Sequence, residues 1–229
     1  MRIAALIPAY NEARKIAEIV KRSRPYVEEV YVVDDGSGDD TTAQAESAGA
    51  VVLTFPKNAG KGNALRVGLD RCFADGMEAV VCLDADGQHL PEEMERFTNI
   101  AEDADLAVGD RLCNAKGMPI IRYVCNRITS WLLGCLCRKG GKISDTQCGF
   151  RLISKQCWQG IVILSHNYEF EGEMIVAASR EGFRMANVPI SVIYADEKSK
   201  INPIKDSWRF FKMLVRIWCN RSGGKNGKT

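Results

Sequence analysis

The first half of the chain alternates short apolar, β-branched runs with segments in which apolar residues recur three and four positions apart. The short runs predict strands, and the longer segments predict amphipathic helices. Such alternation is typical of an α/β protein whose mostly parallel central sheet is flanked by helices. The predicted strands are 3–8, 30–35, 51–55, 79–84 and 106–108, and the predicted helices are 12–23, 40–48, 62–75 and 91–101.

Length and composition are those of one sizeable domain. The 229 residues are 46% hydrophobic, and no stretch rich in proline, glycine or serine interrupts the interior. We expect a domain over residues 1–202, followed at 203–229 by a basic amphipathic helix and a flexible tail. Nine cysteines, an odd number without Cys-x-x-Cys spacing, predict a reduced cytoplasmic protein. The longest apolar run, 128–137, has ten residues where a membrane span needs about 20, so we expect any membrane contact to be peripheral.

A predicted buried strand leads directly into Asp84-Ala85-Asp86-Gly87-Gln88. Two carboxylates at the end of a buried strand need a counter-charge, because burying an unpaired charge is strongly unfavourable. Their oxygens and the Gln88 amide suit Mg²⁺ or Mn²⁺, which usually complete their coordination with water and substrate phosphates. An ordinary turn is the alternative for an isolated Asp-x-Asp pair. A calcium loop is disfavoured, because its glycine would stand at the sixth position and Gly87 stands at the fourth.

Polar residues also follow two other predicted strands. Tyr10 and Glu12 follow the first, and Asp34-Asp35-Gly36-Ser37 follows the second. Ligands of such sheets bind beyond the carboxyl ends of the strands, so all three groups should open into one crevice. Because the sequence has no glycine-rich phosphate loop, we expect the metal to carry a diphosphate there. Tyr10 would stack on a base or ribose, with Glu12 and Asp35 as hydrogen-bond acceptors; a turn before a helix is the alternative for the second group.

The C-terminal part of the chain is basic. Residues 194–229 contain nine basic and three acidic side chains, a net charge of +6 against +2 for the whole chain. A helix from 203 to about 220 would separate an apolar stripe from a basic one, which favours docking on an anionic membrane surface. A membrane partner subunit, or the protein's own domain, is the alternative partner for the apolar stripe. The apolar stripe is Ile204, Trp208, Phe211, Val215 and Trp218, and the basic stripe is Lys205, Arg209, Lys212 and Arg216.

Seven motifs occur in the order found in one protein family. They are Pro8-Ala9-Tyr10-Asn11-Glu12, Val32-Val33-Asp34-Asp35-Gly36-Ser37 with Asp39 and Thr41, Asn58-x-Gly60-Lys61-Gly62-x-Ala64, Asp84-Ala85-Asp86-Gly87-Gln88-His89, Asp145-x-Gln147-Cys148-Gly149-Phe150-Arg151, Phe170-Glu171-Gly172-Glu173-Met174 and Val188-Pro189-Ile190. Together they resemble family 2 glycosyltransferases of the GT-A fold, a Rossmann-like nucleotide-diphospho-sugar transferase fold. Within that family, the chain is most similar to the dolichyl-phosphate mannosyltransferase and bacterial polyprenyl-phosphate glycosyltransferase branch.

The resemblance implies a sugar nucleotide donor, a polyprenyl phosphate acceptor and a role for each matching residue. The implied catalytic residues are Asp145, which would orient the acceptor or accept its proton, and Arg111. Two departures from the branch are Asp110, where a serine is usual, and Tyr194, where the mannosyltransferases keep an arginine. The implied donor residues are Pro8, Tyr10, Glu12, Val33, Asp35, Lys61, Ala85 and Lys200; the metal ligands are Asp84, Asp86 and Gln88; and the acceptor-phosphate residues are Arg111, Arg122, Asn126 and Arg127.

The chemistry of the implied reaction fits these residue types. A phosphate monoester is largely dianionic at neutral pH, so it needs positive charge to hold it and no strong base. Arginine binds phosphate through paired hydrogen bonds, although surface arginines that only aid solubility are the alternative. We expect inverting transfer of a hexose from a donor of the GDP-mannose or UDP-glucose type to dolichyl or undecaprenyl phosphate at the cytoplasmic membrane face, without nucleic acid. A different acceptor, polysaccharide or glycolipid, and a non-catalytic regulator that binds sugar nucleotides are the alternatives.

Overall fold

The computed structural model describes residues 1–115, 117–138, 141–191, 193 and 203–222. Within these ranges, seven strands form a single sheet, and eight α-helices cover it. The strands are β1 (Ile3–Ala9), β2 (Glu29–Asp34), β3 (Val51–Thr54), β4 (Ala79–Cys82), β5 (Leu106–Asp110), β6 (Arg151–Ser154) and β7 (Met185–Pro189). The helices are α1 (Ile16–Ser23), α2 (Thr41–Ser47), α3 (Lys61–Ala74), α4 (Met94–Thr98), α5 (Ile120–Leu136), α6 (Lys155–Gly160), α7 (Glu169–Glu181) and α8 (Pro203–Ser222).

The sheet has the order β3-β2-β1-β4-β6-β5-β7. Every neighbouring pair is parallel except the two pairs that β6 makes, with β4 and with β5. The expectation of a mostly parallel sheet flanked by helices is therefore confirmed. All five strands predicted from the sequence are present, whereas β6 and β7 come from the second half of the chain, where no strand was predicted.

The order of the strands places a binding crevice beside β1. From β1 the chain moves outward to β2 and β3 on one side, and it then crosses to β4 on the other side. Because such crossovers are right-handed, the connections that move in opposite directions put α1 and α3 on opposite faces of the sheet. A crevice opens at the carboxyl edge where the direction reverses, and ligands of doubly wound sheets bind there. Tyr10, Asp35 and Asp84 all follow strands that end at this edge.

Helices α5, α7 and α8 form a second, smaller apolar cluster. Leu133 and Leu136 of α5 pack with Val176 of α7 and with Met213 and Ile217 of α8. The α8 helix thus packs on the domain through a face that was not predicted from the sequence. The described side chains of the predicted apolar stripe point away from that contact and are exposed: Trp208, Phe211, Val215 and Trp218.

The outer face of α5 is also apolar. Ile120, Ile121, Val124, Ile128 and Trp131 are exposed, and Trp131 retains 63% of its accessible surface. Because α5 and α8 pack against each other, their exposed residues belong to neighbouring helices. We call these five α5 residues and the four exposed α8 residues the α5/α8 surface. None of the helices in the described ranges is both long and apolar enough to cross a membrane.

Candidate active site

The loop before α3 is organised by the carboxylate that follows β2. Asp35 is 4% exposed, and its two oxygens accept hydrogen bonds from the backbone N–H groups of Ala59 and Gly60 at 2.6 and 2.9 Å. Burial raises the pKa of Asp35, although the two N–H groups oppose that shift. Gly36, with a φ of +74°, lies so close to the backbone of Lys57 that a Cβ would overlap it. Asp35, predicted as a donor ligand, therefore also fixes the start of α3.

The loop after β1 is tied to the loop after β2. The backbone N–H groups of Asn11 and Glu12 donate to the hydroxyls of Ser37 and Thr41 at 2.8 and 2.9 Å. In return, the Asn11 side chain accepts from the N–H of Gly38. These contacts hold Tyr10, which is exposed, and Glu12, which is half-buried, at the crevice. The hydroxyls of the second motif thus position the predicted donor residues of the first.

Asp84, at the end of β4, is neutralised by a lysine of the same chain. The Lys61 Nζ lies 2.5 Å from Asp84 Oδ1 and 3.1 Å from Glu171 Oε2. Burial alone would raise the pKa of Asp84, but the Lys61 ammonium outweighs it and holds that pKa at about 2. The pKa of Lys61 is raised above its usual range by the two carboxylates, against the effect of burial. Lys61 and Asp84 are therefore both charged at neutral pH.

A buried arginine stands behind this group. Arg151 is 1% exposed; its guanidinium donates to the carbonyl of Glu171 at 2.9 Å and to the carbonyl of Cys148, and it lies 3.6 Å from Glu171 Oε1. On the other side, a Cβ at Gly149 would meet Asp84 Oδ2, so only glycine fits against this carboxylate. Arg151, Glu171, Lys61 and Asp84 form a continuous row of alternating charges, which we call the charge row.

The residues that follow Asp84 fit a divalent cation. Asp86 is half-buried; its Oδ1 accepts a hydrogen bond from the Gln88 N–H at 2.9 Å, and its carbonyl accepts one from Lys15 Nζ at 2.7 Å. Within the described ranges, no group of three His, Cys, Asp or Glu side chains is placed to hold a metal ion by itself. Carboxylate and amide oxygens on an open side of the crevice suit Mg²⁺ or Mn²⁺, which keep positions for water and phosphate. The predicted ligands Asp84, Asp86 and Gln88 thus follow one another in the loop after β4, and Asp84 is already paired with Lys61.

Arg111 and Asp145, both predicted as catalytic, form a pair. Arg111 Nε and Nη2 donate to the two oxygens of Asp145 at 2.6 and 2.9 Å. Asp145 is fully buried, and the Arg111 side chain retains 12% of its accessible surface. A bidentate pair of this kind fixes the plane of the guanidinium. The geometry makes Asp145 the residue that orients Arg111 at the end of β5.

The remaining predicted acceptor residues lie on α5. Arg122 and Asn126 are half-buried and one helical turn apart, whereas Arg127 is exposed. Ser130 connects α5 to the Arg111 pair, because its hydroxyl accepts from the N–H of Thr146 at 3.0 Å and lies 3.1 Å from the Thr146 hydroxyl. Thr146 follows Asp145 directly. Helix α5, whose outer face is apolar and exposed, is therefore bound to Thr146, the residue directly after the Asp145 carboxylate that pairs with Arg111.

Other predicted residues lie at the same edge or outside the described residues. Pro8 and Val33 belong to β1 and β2, and Ala85 stands between the two aspartates. Lys200 and the tail at 223–229 lie outside the described residues. Sequence reasoning gave no role to Lys15, Arg151 or Glu171; Glu171 and Arg151 lay inside quoted motifs, but their contacts join segments distant in sequence.

Comparison with known proteins identifies the family and related enzymes. The sequence model of glycosyl transferase family 2 matches residues 4–158. An undecaprenyl-phosphate mannosyltransferase of Micrococcus luteus is 31% identical over 84% of this chain and 84% of its own length. A UDP-N-acetylglucosamine–dolichyl-phosphate N-acetylglucosaminyltransferase of Methanococcus voltae is 28% identical over 85% of this chain and 86% of its own.

Solved structures share the fold. Glucosyl-3-phosphoglycerate synthase of Mycobacterium tuberculosis, crystallised with Mn²⁺, uridine diphosphate and phosphoglyceric acid, superimposes with a TM-score of 0.68. The alignment covers 97% of this chain and 78% of the synthase, at 19% identity. At that identity the likeness establishes the fold alone, and the expected GT-A fold is confirmed.

Proposed function

The chain belongs to glycosyl transferase family 2 and is a glycosyltransferase, and from that premise we propose that it transfers a hexose from a sugar nucleotide to a polyprenyl phosphate. The donor is of the GDP-mannose or UDP-glucose type, the acceptor is dolichyl or undecaprenyl phosphate, and transfer occurs at the cytoplasmic membrane face with inversion. The relatives whose names specify dolichyl or undecaprenyl phosphate support the acceptor class. The observation that carries the proposal is the attachment of the apolar α5 helix beside the Arg111 and Asp145 pair.

The donor side of the site binds and orients a nucleoside diphosphate. Tyr10 and Glu12 face the nucleoside from the loop that Ser37 and Thr41 hold in place. Asp86 and Gln88 would hold Mg²⁺ or Mn²⁺, and Asp84, already paired with Lys61, would be the third ligand. When bound, the divalent cation neutralises charge that grows on the leaving diphosphate. Lys61 adds a fixed positive charge that the protein itself supplies.

The acceptor side holds a phosphate without a strong base. Arg111, oriented by Asp145, and Arg122 bind the phosphate dianion, and one of its oxygens attacks the anomeric carbon as the bond to the nucleoside diphosphate breaks. Attack from the face opposite the leaving group inverts the anomeric centre. Because the attacking oxygen already carries negative charge, no proton needs to be removed. Asp145 acts by positioning Arg111, since both of its oxygens are engaged with that guanidinium.

The membrane surface is the partner that the α5/α8 surface fits best. Two neighbouring helices expose nine large apolar residues, three of them tryptophans, and Lys212 Nζ lies 5.3 Å from the centre of the Trp208 ring. Aromatic and aliphatic side chains beside basic ones are typical of helices that lie in the headgroup region of a bilayer. A polyprenyl chain stays in the bilayer, so an enzyme docked there reaches only its phosphate end. A membrane partner subunit on the same surface is the competing outcome.

One assay tests the reaction and its acceptor together. Purified protein is incubated with Mn²⁺ and a panel of labelled UDP- and GDP-sugars, and with vesicles that contain polyprenyl phosphate, vesicles that lack it, or 3-phosphoglycerate alone. We expect label in the polyprenyl lipid only, from one donor, and none after addition of a chelator. Label in 3-phosphoglycerate alone would overturn the lipid acceptor. Transfer that occurs only after a membrane protein fraction is added would favour a partner subunit over direct docking.

A further inference from the structure

We propose that Glu171 is a positioning residue: acting through Lys61, it keeps a fixed cation beside the metal ligands so that the donor diphosphate meets two positive centres. This inference rests on the proposed function and adds a residue to its donor site. Glu171 lies on α7, and Lys61 is the first residue of α3. The 3.1 Å contact between Lys61 Nζ and Glu171 Oε2 therefore joins two helices, although the two residues are 110 positions apart in sequence. Nothing local in the sequence requires the contact.

The charges in the row balance without a metal. Arg151 and Lys61 are positive, and Glu171 and Asp84 are negative, so these four residues sum to zero. Asp86 is then the carboxylate left for a divalent cation at the end of β4. Removing one member would leave its neighbour's charge uncompensated in a buried setting, which is costly. The row therefore holds a permanent cation at a place where a free lysine would otherwise sample many rotamers.

Two carboxylates restrain the position of the Lys61 ammonium. Asp84 Oδ1 contacts the ammonium, and the Asp84 carboxylate occupies the space that a Cβ at Gly149 would fill. Glu171 is 8% exposed and is backed by Arg151, which is 1% exposed. The Lys61 ammonium is thus held between two carboxylates that come from different elements. Loss of Glu171 would leave the ammonium with one anchor and would let it swing with respect to the diphosphate.

Glu173 provides a matched control for Glu171. It lies on the same helix two positions later, is 6% exposed and is also paired with a basic residue, Arg216 of α8 at 2.7 Å. Binding of UDP and of GDP is measured by calorimetry in the presence of Mn²⁺ and without acceptor. We expect Glu171→Gln to weaken binding of the preferred nucleotide about tenfold and Glu173→Gln to leave it unchanged, since Glu173 does not contact Lys61. Equal losses in both variants, or no loss in Glu171→Gln, would overturn the inference.

A double-mutant cycle separates positioning from direct contact with the donor. Lys61→Met alone should weaken nucleotide binding, and Lys61→Met with Glu171→Gln should weaken it no further, because Glu171 has nothing left to position. Lys61→Met should also bind Mn²⁺ alone several-fold more tightly, measured by electron paramagnetic resonance, since Asp84 is released. Additive losses in the cycle would assign Glu171 a direct contact and overturn its positioning role, as would unchanged Mn²⁺ affinity. These binding measurements stand even if the lipid transfer assay fails, so the two proposals fail separately.

Discussion

The donor crevice and the α5/α8 surface differ in the kind of group that each places in an unfavourable environment: the crevice buries charged groups, and the surface exposes apolar ones. In the crevice, partly buried charged side chains are paired with one another, as Lys61 is with Asp84 and Glu171. On α5 and α8, large apolar side chains are exposed to solvent, and Trp218 retains 61% of its accessible surface. Buried charge is expensive unless it is compensated, and exposed apolar area is expensive unless something covers it. The ligands that we propose for the two regions differ accordingly: a charged diphosphate for the crevice, and a lipid phase for the surface.

The largest effect should come from the donor crevice. Asp86→Ala removes the carboxylate that the charge row leaves for the divalent cation, and we expect transfer to fall at least about 100-fold because stabilisation of the leaving diphosphate is lost. Steady-state transfer with Mn²⁺ measures this loss. Asp103→Ala, at an exposed position outside the crevice, is the control and should retain full activity. If Asp86→Ala is nearly as active as the wild type, Asp86 does not stabilise the leaving diphosphate and this prediction for the crevice is wrong.

The next effect concerns the α5/α8 surface. Trp131→Ser combined with Trp218→Ser removes one exposed aromatic ring from each helix, and partition onto anionic vesicles should fall about 30-fold, since each ring contributes roughly 1–2 kcal/mol when buried. Sedimentation with vesicles measures partition, and nucleotide binding should stay unchanged. Point substitutions are preferable to deletion of α8, because deletion would also uncover Leu133 and Val176. Unchanged sedimentation would show that another surface meets the membrane.

Arg122 lies where the two regions meet. Arg122→Ala should raise the KM for polyprenyl phosphate about tenfold and leave the KM for the sugar nucleotide unchanged, because the guanidinium serves only one substrate. Initial rates with each substrate varied in turn measure the two KM values. The matched control is Arg71→Ala, because Arg71 is an exposed arginine of α3 that pairs with Asp75. Equal changes in both KM values would assign Arg122 to structure and not to the acceptor.

The smallest effect should come from charge on the surface. Lys212→Gln removes an exposed cation beside Trp208, and binding to anionic vesicles should weaken about fivefold, in line with about 1 kcal/mol per basic residue near the headgroups. The difference should disappear at high salt, where such attraction is screened. Arg216→Gln should not behave in this way, because Arg216 is half-buried and its charge is paired with Glu173. A salt-independent loss in Lys212→Gln would indicate that its packing on Trp208 matters more than its charge.

The sequence predicted the first half of the fold well because its signals are local there. The strands that became β1 to β5 are short apolar runs with turn residues at both ends, and their order with helices leaves few topologies. The aspartates after β2 and β4 were recognisable for the same reason. The second half was less accessible, since β6 enters the sheet antiparallel between β4 and β5, far from either strand in sequence.

The tertiary structure changed the interpretation of individual charges. From the sequence, Asp84 looked like a carboxylate in need of a metal, and Arg216 looked like part of a basic membrane face. The fold gives Asp84 a lysine from α3 and gives Arg216 a glutamate from α7. A sequence pattern shows that a charge is present, but partners that come from other elements are visible only once those elements pack together.

The sequence by itself determined the alternating strands, the polar residues at their carboxyl ends, and the excess of basic and apolar residues near the C-terminus, because each depends on neighbours within a few positions. Only the tertiary structure decided that Glu171 and Arg151 stand behind Lys61, that Asp145 orients Arg111, and that α8 uses one apolar face for the domain and leaves another exposed. These features join segments tens of residues apart. Their stability comes from burial and charge pairing that exist only when the whole sheet and its helices are assembled.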